Sequence, residues 1–142
     1  MEDSGTTARR STGTAGGIVI IGTCASGKST LADNLRTLGY DAQVVAQEHS
    51  DIGQLWARTG PSVVIALESS LETIRSRRGP RWSSTVYERQ RRRLAPAMHA
   101  ATVVIDTGTT SPMATLAAAA SAIRAAGVLP GSAPGRSPAS PS

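Results

Sequence analysis

Ile18-Val19-Ile20-Ile21-Gly22-Thr23-Cys24-Ala25-Ser26-Gly27-Lys28-Ser29-Thr30 decides the reading of this chain. Four consecutive apolar residues, all of them β-branched, predict a strand buried on both faces. The next eight residues, from Gly22 to Ser29, fit the pattern G-x-x-x-x-G-K-[ST]. Beyond them Leu31, Leu35 and Leu38 recur at helical spacing, with Gly39 suited to the C-terminal cap. A strand, a glycine-bearing loop and a helix in this order make a cradle for phosphate. Gly22 and Gly27 remove side chains that would keep phosphates from the backbone. The amides of Thr23, Cys24, Ala25 and Ser26 form a concave nest, and the helix opening near Lys28 adds the positive end of its dipole. Lys28 supplies a mobile charge to the outer phosphates, and the hydroxyl of Ser29, next to Thr30, suits Mg²⁺.

Outward from this loop, short apolar runs alternate with helical patterns. Ala42 to Ala46 predicts a second strand, and Ser50 a cap for a short helix carrying Ile52, Leu55 and Trp56. Ser62 to Leu67 predicts a third strand. Ser69 and Glu72 then read as a capping box for a helix through Arg78, and Thr85 and Glu88 as another. The second of these helices carries Tyr87, Leu94 and Met98 on one stripe, with Pro96 as a kink or an end. Thr102 to Ile105 predicts a fourth strand, and Ser111-Pro112 opens a last helix burying Met113, Leu116, Ala120 and Ile123 up to Gly127. Unbroken apolar strands alternating with helices predict an α/β protein: a short, mainly parallel sheet with helices on both faces.

The 142 residues allow one domain. Residues 1–16 lack apolar periodicity and 131–142 are rich in Pro, Ser and Gly, so both are expected to be disordered tails around a body at 17–130. No apolar run approaches the ~20 residues of a membrane span, and no secretory signal is legible. The single cysteine excludes an internal disulfide and a multi-Cys zinc site, and the expected compartment is the cytoplasm. His49 and His99 lack ligand-spaced companions and read as surface or packing residues.

The net charge of +5 comes from arginine, Lys28 being the only lysine. Arg75, Arg77, Arg78, Arg81, Arg89, Arg91, Arg92 and Arg93 face one acid, Glu88, within their span. A polyanion is their natural counterion, and planar guanidinium groups suit phosphate oxygens. Glu48, Glu68 and Asp106 each follow an apolar strand, so a parallel sheet brings them to the edge where Gly22 begins its loop. Glu48 is the first choice for a general base or a water-mediated Mg²⁺ ligand. The alternative reading is that Glu48 only complements the dipole of the helix that follows.

The chain resembles the small P-loop kinases: nucleoside monophosphate, adenylylsulfate, shikimate- and gluconate-type kinases. The resemblance rests on Gly22–Ser29, on Val63–Ser70 followed by Glu72, Arg75, Arg77 and Arg78, and on Ala101–Thr107 followed by Ser111-Pro112. Where many of these kinases have glycine, Ala25 stands here. One short helix replaces the usual acceptor-binding insertion, and four strands are countable instead of five. The resemblance implies the three-layer P-loop NTPase fold and ATP·Mg²⁺, favoured over GTP because no N-K-x-D signature is present. It also implies transfer of the γ-phosphoryl group to a hydroxyl or phosphate acceptor. Arg77 and Arg78 would then close over the transferring group beside Lys28, and Asp106 would shape the loop near the base. The rival reading is a nucleotide-binding regulatory module or partner-dependent ATPase, which the short insertion favours. A third, a basic nucleic-acid binder, rests on the arginine run alone.

Overall fold

The computed structural model describes residues 17–131. The expectation of disordered tails concerns 1–16 and 131–142, of which 1–16 and 132–142 lie outside the described residues. Gly131 belongs to the body, because its amide donates to the Gly39 carbonyl at 2.7 Å.

Four strands form one sheet: β1 Ile18–Gly22, β2 Ala42–Val44, β3 Val63–Glu68 and β4 Val103–Asp106. Their order is β2-β1-β3-β4 and every pairing is parallel. The helices are α1 Lys28–Thr37, α2 Leu71–Arg78, α3 Ser84–Ala100 and α4 Pro112–Ala125. Alternate residues of β1 and β3 point to opposite faces, and the two cores divide accordingly. Ile18, Ile20, Val63 and Ile65 pack with Leu31 and Leu35 of α1 and with Ala119 and Ile123 of α4. Val19, Ile21, Val64 and Ala66 pack with Leu94 and Ala97 of α3. At ~1.5–3 kcal/mol for each large side chain taken from water, β1 is stable only between two helical layers. The expected α/β architecture is present, and no helix among the described residues is long and apolar enough to cross a membrane.

The strand order positions the site. β1 has β2 on one side and β3 on the other, so the chain crosses from β1 out to β2 and then back over β1 to β3. A crevice opens beyond its carboxyl end, where α/β sheets receive ligands.

Several local expectations differ from the structure. β2 ends at Val44, and the chain turns through 3-10 segments at Gln47–His49 and Leu55–Ala57 instead of forming a helix after Ser50. The cause is Gln47, buried at 1% exposure, whose amide donates to Ile52 O and accepts from Trp56 N. Those bonds tie an irregular loop, leave Ile52 exposed, and use Ser50 Oγ to accept from Ile52 N. The caps of α2 and α3 are Ser70 and Ser83, whose hydroxyls accept from Thr73 N and Val86 N. The expected boxes of Ser69 with Glu72 and Thr85 with Glu88 are therefore out of register. Ser69 is buried, paired to Thr107 Oγ1, and its carbonyl accepts from Tyr87 Oη. Pro96 lies within α3 and does not end it. Ser111 and Pro112 open α4 as expected, but Met113 is 72% exposed, and Thr115, Ala119, Ala120 and Ile123 are buried. An alanine-rich helix carries too little side-chain volume to mark which stripe faces inward.

Candidate functional site

The loop between β1 and α1 is shaped by three small residues acting differently. A Cβ on Gly22 would lie 2.5 Å from the Leu67 carbonyl and 2.6 Å from Ser26 Oγ. Gly22 thus lets the loop leave the sheet against β3; room for a ligand is not what demands it. Gly27 has φ +92° with open space around its missing Cβ, so it is needed for the left-handed turn that starts α1. Ala25 also has positive φ, 60°, a conformation that costs a side-chain-bearing residue about 1–2 kcal/mol.

A cavity of about 510 Å³ opens at this end of the sheet. Ala25 to Thr30 line it, and α2 and the segment after β4 contribute Arg77, Arg78 and Thr107. Gly22, Thr23 and Cys24 do not line it. Thr23 is buried at 1% exposure, and the Cys24 amide donates to Gln90 Oε1 at 3.1 Å. The expected nest is therefore shorter than the motif and shifted toward the helix. No side chain caps the N-terminus of α1, so its first-turn amides keep their donors beside the exposed hydroxyls of Ser29 and Thr30.

Lys28 lies folded back on its own loop. Its ammonium donates to Gly22 O at 3.0 Å and Thr23 O at 2.9 Å, and pairs with Glu48 Oε2 at 3.0 Å. The Lys28 and Glu48 side chains are 12% and 4% exposed. Glu48 comes from the 3-10 turn after β2, held by Gln47 next to it and by Arg93 Nη1, which donates to the Glu48 carbonyl. Its second oxygen, Oε1, is buried without a hydrogen-bond partner.

Of the other strand-end acids, Glu68 pairs with Arg91 at 3.4 Å, and Asp106 Oδ1 accepts from Gly108 N. Asp106 thus shapes the turn after β4 and does not line the cavity. The Tyr87 hydroxyl, which accepts a bond from Arg91, together with Glu68 raises the pKa of that guanidinium. Arg77 reaches from the end of α2 to donate to Ala25 O and, at 2.6 Å, to Thr107 O. It ties the loop between β1 and α1 to the loop after β4, and Arg78 lines the cavity beside it. Arg75 donates to Trp82 O and Arg93 pairs with Asp51. Arg75, Arg77, Arg91 and Arg93 are thus held by separate partners, while Arg89 and Arg92 line a second cavity together with Arg93.

Two features escaped the sequence reading. Gln90 is 2% exposed, accepting from Cys24 N and donating to Cys24 Sγ at 3.1 Å. A glutamine on the Tyr87–Leu94 stripe was its only signal. His49 is a surface residue as expected, its side chain 58% exposed, and it lies against Cys24 and Glu48. Contact between residues 24 and 49 follows from the pairing of β1 with β2, which no local spacing reports.

Comparison of the chain with protein-family models, with curated proteins and with solved structures found no match.

Proposed function

We propose that this chain is a P-loop protein that binds ATP·Mg²⁺ and transfers the γ-phosphoryl group to a small hydroxyl or phosphate acceptor. One observation carries the reading. A lysine, an uncapped helix N-terminus and two arginines meet at a cavity of about 510 Å³, at the switch point of a parallel sheet. That volume lies within the ~300–1,000 Å³ of sites for small molecules and cofactors. Four sources of positive potential and few acids suit a polyphosphate.

In this account the amides of Gly27 to Thr30 receive the phosphate chain. Lys28 exchanges its carbonyl partners for phosphate oxygens, a change its flexible stem permits. Mg²⁺, which would offset phosphate charge, finds a fitting oxygen donor in the exposed Ser29 hydroxyl. Arg78 approaches the transferring group, while Arg77 holds the mouth by its two carbonyl bonds. The acceptor oxygen attacks the γ-phosphorus, the bond to the bridging oxygen breaks, and Glu48 takes the proton when the acceptor is a hydroxyl. Glu48 does not itself line the cavity; it meets it through Lys28, which lines it and pairs with Glu48 Oε2 at 3.0 Å.

The test is a thermal-shift screen of ATP·Mg²⁺ with a panel of hydroxyl and phosphate metabolites, followed by a phosphoryl-transfer assay on each hit. Glu48→Gln is expected to lower turnover by about 10²–10⁴-fold with ATP affinity nearly unchanged. If Asp106→Asn stops transfer and Glu48→Gln does not, the base is at the other strand end.

A further inference from the structure

We infer that Cys24, Glu48 and His49 form a binding site for a thiophilic divalent ion of the zinc class, separate from the Mg²⁺ position beside Ser29. The sulfur, a carboxylate oxygen and the imidazole nitrogen all lie within 4.8 Å of one another. Cys24 Sγ is 3.7 Å from His49 Nε2, and His49 Nε2 is 3.6 Å from Glu48 Oε2. With Zn–S near ~2.3 Å and Zn–N and Zn–O near ~2.0–2.1 Å, the edges of a tetrahedral site are about 3.3–3.6 Å. The two separations therefore match those edges to within a few tenths of an ångström, before any ion has drawn the ligands together.

The surroundings are those of a prepared site. Gln90, itself buried, donates to Cys24 Sγ at 3.1 Å and accepts from the Cys24 amide, fixing where the sulfur lies. Oε2, the oxygen 3.6 Å from His49, also accepts from Lys28, and Oε1 is buried and accepts nothing, so the carboxylate has acceptor capacity left. A carboxylate has about four lone-pair sites, enough to serve both the ammonium and an ion. An unsatisfied oxygen on a buried charge is costly, and a cation beside it removes that cost. The exposed His49 ring gives the ion a way in and leaves a fourth position open to water or another ligand. One sulfur, one nitrogen and one oxygen donor suit zinc or cobalt; magnesium requires oxygen ligands. Bound there, the ion joins the phosphate loop to the turn after β2 through three side chains.

The experiment uses the untagged full chain, reduced, with Co²⁺ as the only added ligand, so its outcome is independent of nucleotide binding. The chain has one cysteine and two histidines, so each signal has an unambiguous source. One Co²⁺ per chain is expected, with a thiolate-to-cobalt charge-transfer band that Zn²⁺ abolishes by displacement. Cys24→Ser removes the band. His49→Ala, at an exposed position that leaves folding intact by circular dichroism, weakens Co²⁺ binding at least about tenfold. His99→Ala leaves it unchanged. Absence of the band in the parent chain overturns the inference. So does equal affinity in His49→Ala and His99→Ala, or one ion per two chains accompanied by dimerisation.

Discussion

A lysine ammonium 3.0 Å from a carboxylate that is 4% exposed is a pair whose members depend on each other. Removing one partner leaves a buried charge uncompensated, which costs about 3–5 kcal/mol, whereas removing both charges costs far less. Lys28→Ala is therefore expected to lose several kcal/mol in urea unfolding, and Lys28→Ala/Glu48→Gln to recover most of it. Additive single effects in that cycle would show that the two side chains do not interact. The small residues of the loop separate in the same way. Gly22→Ala brings a methyl against the Leu67 carbonyl and should cost about 1–3 kcal/mol by overpacking. Gly27→Ala meets no atom and should cost only the left-handed strain, about 1–2 kcal/mol. Ala25→Gly should be neutral to stabilising by up to ~1 kcal/mol, because it relieves the same strain. A destabilised Ala25→Gly would mean that the alanine methyl makes a contact worth more than the strain. The motif made both glycines legible, but only the structure separates a sheet contact at Gly22 from a backbone need at Gly27.

Helix starts are decided by single hydroxyls. Ser83 accepts from Val86 N, and Ser83→Ala should cost about 0.5–2 kcal/mol in thermal or urea unfolding. Thr85→Ala should change stability by no more than about 0.5 kcal/mol, since Thr85 lies inside the first turn. The opposite ranking would restore the cap that sequence spacing suggests. Spacing alone chose wrongly at α2 and α3 because serines or a threonine flank the true cap, and a box pattern fits more than one frame. Where one side chain dominates its surroundings, the sequence was sufficient: the run Ile18–Ile21, Leu31 and Leu35 of α1 and the Ser111-Pro112 start stand where expected, whereas Leu38 is the exposed C-cap of α1. It was insufficient between Gln47 and Gly60, where one buried amide turns an expected helix into two 3-10 segments.

At the scale of the whole molecule, β1 is the centre from which the rest is arranged. Its neighbours β2 and β3 bring Glu48 and the α2 arginines to the loop that follows it. The alternation of strand and helix revealed the parallel sheet, and the carboxyl edge then followed from topology. Which acid approaches Lys28, and that His49 joins Cys24, depend on side-chain meetings that no periodicity encodes. The described body closes through the Gly131–Gly39 bond. A fragment of residues 17–131 is accordingly expected to unfold cooperatively and bind ATP·Mg²⁺ as tightly as the full chain; a molten fragment would place part of the fold in the tails. The central claim, a phosphate site built on Lys28, is tested most directly by titration calorimetry of ATP·Mg²⁺. The parent chain is compared with Lys28→Ala/Glu48→Gln, in which the buried carboxylate charge is removed together with the lysine. The account predicts saturable binding of one nucleotide per parent chain and affinity at least about tenfold weaker in a folded double variant. No binding by the parent, or equal affinity in both, would contradict it.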